Sequence, residues 1–221
     1  MRNKRAFGME FLGTMILAIA VVGSGHMAAL LTSDAGTRLL INALATAIGL
    51  AVVIRIGMKA SGSHFNPVVT LIMLYLKKVD PKTTTFYIAS QITGSIVGVG
   101  IANFTYEQSF FEVSQIKRDG SNLFISEVFA TAVLLWIILR FPKRDDLVAL
   151  YVPIWIFGAI LLTSSTSFAN PAITIGRTLT NSITGIAPAS ILLFITAQVI
   201  GAVLGMLVAK NLTNSSKDNN E

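Results

Sequence analysis

The sequence predicts an all-α membrane protein with six transmembrane helices, two re-entrant half-helices and an inverted internal repeat. Three observations support this prediction. Six segments are apolar over the roughly 20 residues that a helix needs to cross a bilayer. Two shorter apolar stretches each begin with Asn-Pro. An acidic residue, an Asn-Pro pair and a Gln recur in the same order in both halves of the chain.

The composition is that of a polytopic membrane protein. Of the 221 residues, 53% are hydrophobic and 13% are charged, and the mean hydropathy is +0.69. Soluble domains carry about 25% charged residues, so this chain has too little polar surface for a soluble enzyme. The lack of Cys excludes disulfides, iron–sulfur clusters and thiolate metal sites. Because there are only two His, we expect no metal and no cofactor.

The first predicted span resembles a signal peptide, because Arg2, Lys4 and Arg5 precede an apolar run. However, Glu10 lies inside that run, and the run continues to Leu31. We therefore interpret it as an uncleaved helix. In chain order, the six predicted spans lie near residues 6–31, 38–58, 84–106, 122–141, 147–165 and 188–209.

The apolar stretches 66–76 and 170–180 are too short to span a bilayer. Asn is a strong helix N-cap, and Pro is favoured at the first helical position, so each stretch should begin a short helix at its Asn-Pro. Half-spanning helices are tolerated only where protein or a water-filled cavity satisfies their backbone. A single Asn-Pro is typical of a loop turn, whereas two copies that each open a short apolar helix indicate re-entrant segments.

The basic residues predict the orientation in the membrane. Six spans put both termini on the same side, and that side carries most of the 17 Lys and Arg residues. We therefore expect a multi-pass protein of the cell membrane with both termini in the cytoplasm, and the positive net charge needs no nucleic-acid partner. The cytoplasmic group is Arg2, Lys4, Arg5, Arg55, Lys59, Lys77, Lys78, Lys82, Arg140, Lys143, Arg144, Lys210 and Lys217, and the outer group is Arg38, Lys117, Arg118 and Arg177.

The two halves of the chain, about 6–106 and 122–209, form one predicted transmembrane domain within residues 1–221. Three spans per half is an odd number, so the halves insert with opposite orientation and the functional site is expected at their interface. The polar tail 211–221 is predicted to be disordered. The positions that match between the halves are Glu10 with Glu127, Asn66 with Asn170, and Gln91 with Gln198.

This topology brings the N-termini of the two half-helices together near the middle of the bilayer. Each N-terminus carries unpaired N–H groups and a partial positive charge, which repel cations and interrupt a proton chain in water. The side-chain amides of Asn66 and Asn170 can donate hydrogen bonds to a neutral oxygen. The arrangement predicts selection for small uncharged solutes.

The chain contains two related boxes, Asn66-Pro67-Val68, within the segment 61–70, and Asn170-Pro171-Ala172. They resemble the paired NPA motifs of the aquaporin/aquaglyceroporin (major intrinsic protein) family. The resemblance extends over about residues 6–209. It implies six helices plus two half-helices in each subunit, a pore through each subunit and a homotetramer.

The family usually carries an Arg three residues after the second Asn, and here that position is Ile173. By spacing from the two Asn residues, the other filter positions are Thr46, Gly158 and Ser167. These residues predict a wide filter without a fixed charge. Arg177 lies one turn beyond Ile173 on the same helix face, and it either reaches back to the pore or lies at the outer mouth.

Five further polar residues are predicted to support the re-entrant loops. Glu10 and Glu127 are intramembrane acids, for which a proton relay is the functional alternative; their symmetrical recurrence and the family resemblance favour carboxylates that accept loop N–H bonds. Gln91 and Gln198 are expected to hold half-helices or neighbouring spans. His64 lacks partners for a metal site, so a bond that braces its loop is the preferred interpretation, with pH sensing as the alternative.

The sequence therefore predicts a passive channel for water or small uncharged solutes such as glycerol, urea or undissociated metalloid acids like arsenite, with membrane lipid around it. An ion-coupled secondary transporter is the alternative, because inverted repeats with broken helices also occur there. An intramembrane enzyme would need a Ser–His pair, from Ser24 and His26 or from Ser61 and His64. For neither pair does the sequence indicate oxyanion donors or a third group, so we expect no enzyme.

Overall fold

The structure, a computed structural model, describes the backbone of residues 2–218 and the side chains of residues 4–212, and all of its regular structure is helical. Six helices are long and apolar enough to cross a membrane, which confirms the six predicted spans. These helices are α1 (Arg2–Leu31), α2 (Ala35–Ser61), α4 (Pro81–Thr105), α5 (Ser121–Arg140), α6 (Asp145–Leu162) and α8 (Ile191–Asp218), and the two short helices are α3 (Pro67–Tyr75) and α7 (Pro171–Gly176).

The short helices begin at the two Asn-Pro pairs, as predicted. Helix α3 has nine residues, and α7 has six. The second stretch differs from the prediction, because α7 gives way to a 3-10 turn over Arg177–Leu179. The tighter turn changes the direction in which the side chains after Gly176 point.

Two spans begin earlier than their apolar patterns predict because aspartates cap them. Asp34 accepts a hydrogen bond from the Thr37 backbone N–H at 2.7 Å, and Asp80 accepts one from the Thr83 N–H at 2.9 Å. Bonds from the Thr hydroxyl and backbone lower the pKa of each aspartate below its ordinary value. The first turns of α2 and α4 are polar, so hydropathy alone misses them.

The C-terminal end of the chain corrects one prediction. Helix α8 continues to Asp218, so residues 211–218 are helical and not disordered. No Gly or Pro interrupts the chain between Asn211 and Asp218, and the helix therefore has no local reason to end at its last apolar residue. Residues 219–221 lie outside the described part of the chain.

The helix packing follows the predicted inverted repeat. Helix α1 packs against α2 and α4, and its counterpart α5 packs against α6 and α8. The repeats meet where α2 contacts α6. Both half-helices, α3 and α7, contact both α4 and α8. Each half-helix is therefore held by the last span of its own repeat and by the last span of the other repeat.

Paired glycines allow the closest of these contacts. Gly94 and Gly98 of α4 lie against backbone carbonyls of α1, and Gly201 and Gly205 of α8 lie against backbone carbonyls of α5. A methyl group at any of the four positions would overlap the facing backbone, which cannot move aside like a flexible side chain. Small residues at these four positions therefore let the helix backbones approach closely, as at other packed transmembrane helices. The facing carbonyls belong, in the same order, to Phe11, Met15, Val128 and Ala132.

We predict that Gly94→Ala destabilises the protein, because the new methyl group would overlap the Phe11 carbonyl. Overpacking of this kind costs about 1–3 kcal/mol. The matched control is Gly8→Ala in α1, where a methyl group meets nothing within 4 Å. Thermal unfolding in detergent should show a midpoint lowered by Gly94→Ala and not by Gly8→Ala. Equal midpoints for the two variants would contradict the close approach of α1 and α4.

Candidate functional site

The two Asn residues of the repeated boxes are joined to opposite loops. Asn66 Nδ2 donates a hydrogen bond to the backbone oxygen of Ala169 at 2.7 Å, and Asn170 Nδ2 donates one to the backbone oxygen of Phe65 at 2.8 Å. Each loop therefore binds the Asn of the other repeat. These bonds bring the two Asn residues together between the repeats, in agreement with the predicted topology.

Both Asn side chains also cap their own half-helices. Asn66 Oδ1 accepts a bond from the Val68 N–H at 3.1 Å, and Asn170 Oδ1 accepts one from the Ala172 N–H at 3.0 Å. A side-chain amide has two N–H groups and one oxygen. The cap occupies the oxygen and the crossed bond occupies one N–H, so one N–H per Asn is left for a solute.

The residue before each Asn adopts a left-handed backbone conformation. Both Phe65 and Ala169 have φ of 47°, which costs a non-glycine residue about 1–2 kcal/mol. This conformation directs the carbonyl towards the opposite Asn while the N–H points to a buried carboxylate. The hydrogen bonds on both sides of the peptide maintain the strained geometry.

Glu10 accepts four hydrogen bonds from the first re-entrant loop and its surroundings. Its side chain is fully buried. The donors include the Phe65 N–H at 2.6 Å, the His64 N–H at 3.0 Å and the Ser61 hydroxyl at 2.6 Å. The fourth is the Gln91 amide at 2.7 Å. Loop N–H groups that no helix satisfies thus find an acceptor inside the membrane.

Glu127 makes the equivalent contacts in the second repeat. Its fully buried carboxylate accepts the Phe168 N–H at 3.2 Å, the Ala169 N–H and the Gln198 amide at 2.8 Å. The predicted structural role of both acids agrees with this geometry. Within the described structure, every hydrogen-bond partner of the two carboxylates is a donor that holds a loop or a half-helix.

Gln and Thr connect each carboxylate to its half-helix. Gln91 Nε2 donates to Thr70 Oγ1 at 2.9 Å, and the Thr70 hydroxyl donates to the Asn66 backbone oxygen at 3.0 Å. The second repeat has the same series of hydrogen bonds through Gln198, Thr174 and Asn170, and its Gln–Thr distance is also 2.9 Å. Both Gln residues are predicted from the sequence, whereas the role of the two Thr residues, each four residues after its Asn, is visible only in the structure.

A cavity of about 400 Å³ passes between the two repeats and includes both Asn residues in its wall. One end is lined by Lys78, Lys143 and Asp145, and the other by Arg177. Most of the wall between is aliphatic. The aliphatic lining includes Leu17, Val21, Leu50, Ile54, Val69, Leu134, Val152, Ile156 and Ile160.

The sequence also matches the model of a known protein family, in agreement with this fold and the crossed Asn bonds. The model of the family described as major intrinsic protein matches residues 1–169. The chain belongs to the major intrinsic protein family. The match ends just before Asn170. The second box is therefore supported by the crossed hydrogen bond and the helix cap of Asn170.

Relatives across this family match nearly the whole chain. The aquaglyceroporin AqpS of Rhizobium meliloti is 35% identical over 209 residues, covering 94% of this chain and 90% of the relative. A probable glycerol uptake facilitator protein of Thermotoga maritima is 29% identical over 229 residues, covering 93% and 96%. The X-ray structure of the aquaglyceroporin from Plasmodium falciparum has the same fold, with a TM-score of 0.70 at 24% identity over 94% of this chain and 96% of that one.

Three of the four residues predicted for the family's filter line the cavity. Thr46, Ser167 and Ile173 are at most 5% exposed, and all contribute to its wall. The hydroxyl oxygens of Thr46 and Ser167 have no hydrogen-bond partner within the described structure. Buried hydroxyls usually have partners, so these two are available to a molecule in the cavity.

Gly158 is the exception and corrects the prediction. It is not among the residues that line the cavity, whereas Ile156 and Ile160 of the same helix are. Successive residues turn by about 100° around a helix, so Gly158 lies about 200° from each of these neighbours and faces away from them. Spacing from Asn170 does not predict which face of α6 lines the cavity, because the loop between them is not helical.

Arg177 lies in the cavity wall. It is 5% exposed, and its Nε donates to the Thr184 backbone oxygen. The guanidinium carbon lies 3.3 Å from the centre of the Phe168 ring, and the Arg118 guanidinium approaches the same ring at 5.2 Å. The side chain is thus held by stacking and by a carbonyl, and it reaches the cavity although it follows the family's usual Arg position by one turn.

The remaining titratable and hydroxyl candidates have structural partners. His64 Nδ1 lies 3.1 Å from Thr70 Oγ1, so His64 braces its loop as predicted. Ser61 donates to Glu10, and His26 Nε2 lies 3.0 Å from Asn103 Oδ1. Neither Ser–His pair considered from the sequence is hydrogen-bonded in the described structure.

We predict that Glu127→Ala reduces stability more than it changes solute selectivity. The substitution leaves the Phe168 and Ala169 N–H groups buried without an acceptor, and each unsatisfied buried donor costs about 1–3 kcal/mol. Thermal unfolding in detergent and solute flux should be measured on the same preparation. Glu112→Ala, at an exposed carboxylate bonded to Asn181, is the control and should have little effect. A wild-type midpoint for Glu127→Ala would refute the supporting role.

Proposed function

We propose that this protein is a passive channel for water and small uncharged solutes of about the size of glycerol. The observation that carries the proposal is the crossed Asn pair in the wall of one cavity whose lining residues come from both ends of the molecule. Relatives of this chain include an aquaglyceroporin and a probable glycerol uptake facilitator, which supports this solute class.

The chemistry of the cavity favours neutral over charged solutes. Between its ends the wall is mainly aliphatic, so an ion would lose its hydration without replacement, at a large free-energy cost. The Asn66 and Asn170 N–H groups offer donors to a neutral oxygen. Arg177 adds a positive charge at one end, which opposes entry of cations.

A solute with hydroxyl groups on one side and carbon on the other fits the filter region. The free hydroxyls of Thr46 and Ser167 can donate to it and accept from it, while Ile173 offers an apolar surface. Glycerol has this character. Urea and undissociated metalloid acids are also neutral and can use the same hydroxyls, so the solute panel below includes them.

The sequence predicts a filter without a fixed charge, whereas we propose a filter whose charge comes from Arg177. Arg177 takes the position of the charged filter residue one turn further along than in most of the family. The extra turn leaves room beside Ile173, and the pore is thereby wider than that of a water-selective channel while it still contains a fixed cation.

The surface of the helices is strongly apolar. Leu192, Phe104 and Ile56 are 76%, 70% and 67% exposed, which requires lipid or neighbouring subunits around the helices. We propose a homotetramer, as is usual in this family, in the cell membrane with both termini in the cytoplasm. The concentration of basic residues at that face supports the orientation.

We predict solute flux without ion coupling. Proteoliposomes containing the purified protein should pass water and glycerol in stopped-flow light scattering, and the rates should be the same with and without a proton or sodium gradient. Urea and arsenite complete the panel. A flux that requires an ion gradient would establish the coupled transporter instead, and a channel that passes water but excludes the other three solutes would overturn the wide filter.

We predict that Arg177→Ala admits small cations and raises glycerol flux relative to water. A unit charge about 5 Å from a passing cation costs about 3 kcal/mol at an effective dielectric constant of 20, so cation conductance should rise on the order of a hundredfold. Arg177→Lys keeps the charge and should keep cations out. Lys117→Ala, at an exposed outer residue, is the control.

The companion substitution Ile173→Arg separates the two filter models. If Arg177 already supplies the filter charge, Ile173→Arg narrows the pore and slows glycerol before water, but it changes cation exclusion little. Unchanged conductance in Arg177→Ala together with a large gain of cation exclusion in Ile173→Arg would show that Arg177 lies outside the filter.

A further inference from the structure

A second concavity of about 1100 Å³ lies beside the pore on the face rich in basic residues. We call it the basic groove. Its wall comes from the start of α1, the end of α2 and the connection between α3 and α4. Four cationic side chains contribute to it, namely Arg5, Lys59, Lys77 and Lys78.

The cations of the basic groove have little negative charge to balance them. Asp80 is the one carboxylate in its lining, and its oxygens bind Thr83 as a helix cap. Among the described side chains, the single ion pair is Arg144–Asp146, so none of the four cations has a carboxylate within 4 Å. These four cations converge on one concavity from three separate segments of the chain.

The floor of the groove is apolar and aromatic. Phe7 and Tyr87 line it, with their rings 5.9 Å apart and edge to face. Ile56 at the rim is 67% exposed. Because cations and exposed apolar groups adjoin at the end of the membrane spans, the groove matches a ligand that carries a phosphate at one end and hydrocarbon at the other.

We propose that the basic groove binds the phosphate headgroup of an anionic phospholipid from the adjacent leaflet. Clustered Lys and Arg between transmembrane helices recognise such headgroups. The phosphate lies among Lys59, Lys77 and Arg5, and an acyl chain follows the apolar rim at Ile56. A free phosphate ion would gain nothing from that rim.

The groove shares a wall with the pore. Ser61, Gly62, Lys78 and Val79 line both cavities. The Ser61 hydroxyl donates to Glu10, and the Ser61 carbonyl accepts from the Tyr87 hydroxyl at 2.8 Å. A lipid seated in the groove therefore stabilises the start of the first re-entrant loop, and its binding should raise the stability of the folded channel.

The test measures lipid binding directly and does not depend on which solute passes the pore. The full chain in nonionic detergent is titrated with fluorescent phosphatidylglycerol, with phosphatidylcholine and inorganic phosphate as comparison ligands. The groove variant is Lys59→Gln with Lys77→Gln, which leaves the pore-lining Lys78 intact. The control variant is Lys82→Gln with Arg140→Gln, which removes the same charge from exposed positions outside the groove.

The wild type and the control variant should bind phosphatidylglycerol about tenfold more tightly than phosphatidylcholine, and millimolar phosphate should not displace it. The groove variant should lose about tenfold or more in affinity, since each of the two removed cations should contribute about severalfold to the binding of an anionic headgroup. Phosphatidylglycerol should also raise the thermal midpoint of the wild type and not of the groove variant. If the double variant does not fold, each single substitution should give a several-fold loss.

Three results would overturn the proposal. Equal losses in the groove and control variants would show unspecific attraction to net charge. Equal affinity for phosphatidylcholine would remove the role of the anionic headgroup. Full displacement by inorganic phosphate would show an anion site that does not use the lipid's hydrocarbon.

Discussion

The structure depends on two buried carboxylates that accept the backbone N–H groups of the re-entrant loops. These loops enter the membrane without regular secondary structure, and an unpaired backbone group there costs several kcal/mol. Glu10 and Glu127 supply the acceptors at equivalent places in the two repeats. The left-handed residues and the crossed Asn bonds depend on loops held in this position.

Support and selectivity come from different atoms of the same residues. In Asn66, the side-chain oxygen caps a half-helix, one N–H joins the opposite loop, and the other N–H is left for a solute. Asn170 repeats this division. Since the bonds that hold the loops also orient the donors, the pore centre is rigid, and a passing solute meets fixed dipoles instead of mobile side chains.

Charge is distributed at the edges of the pore and not at its centre. Arg177 lies at one end, stacked on Phe168, and Lys78 lies at the other, where the pore and the basic groove share a wall. A neutral solute thus crosses an aliphatic passage with two amide donors, whereas an ion meets like charge or loses its hydration. The shared wall also gives the surrounding lipid a physical route to the first re-entrant loop, through Ser61 and Glu10.

The amino-acid sequence alone predicts the six spans, the two half-helix starts and the pairing of Glu10 with Glu127, because hydropathy, N-capping and an inverted repeat are local or periodic signals. Those signals could not assign side chains across a loop of irregular backbone. Gly158 therefore faces away from the cavity while Ile156 and Ile160 line it. The rotation of α6 about its axis, which sets these directions, becomes visible only in the folded structure.

The burial of Arg177 against Phe168 and the convergence of Arg5, Lys59 and Lys77 are contacts between distant segments. They arise from packing in three dimensions and leave no pattern in a linear sequence.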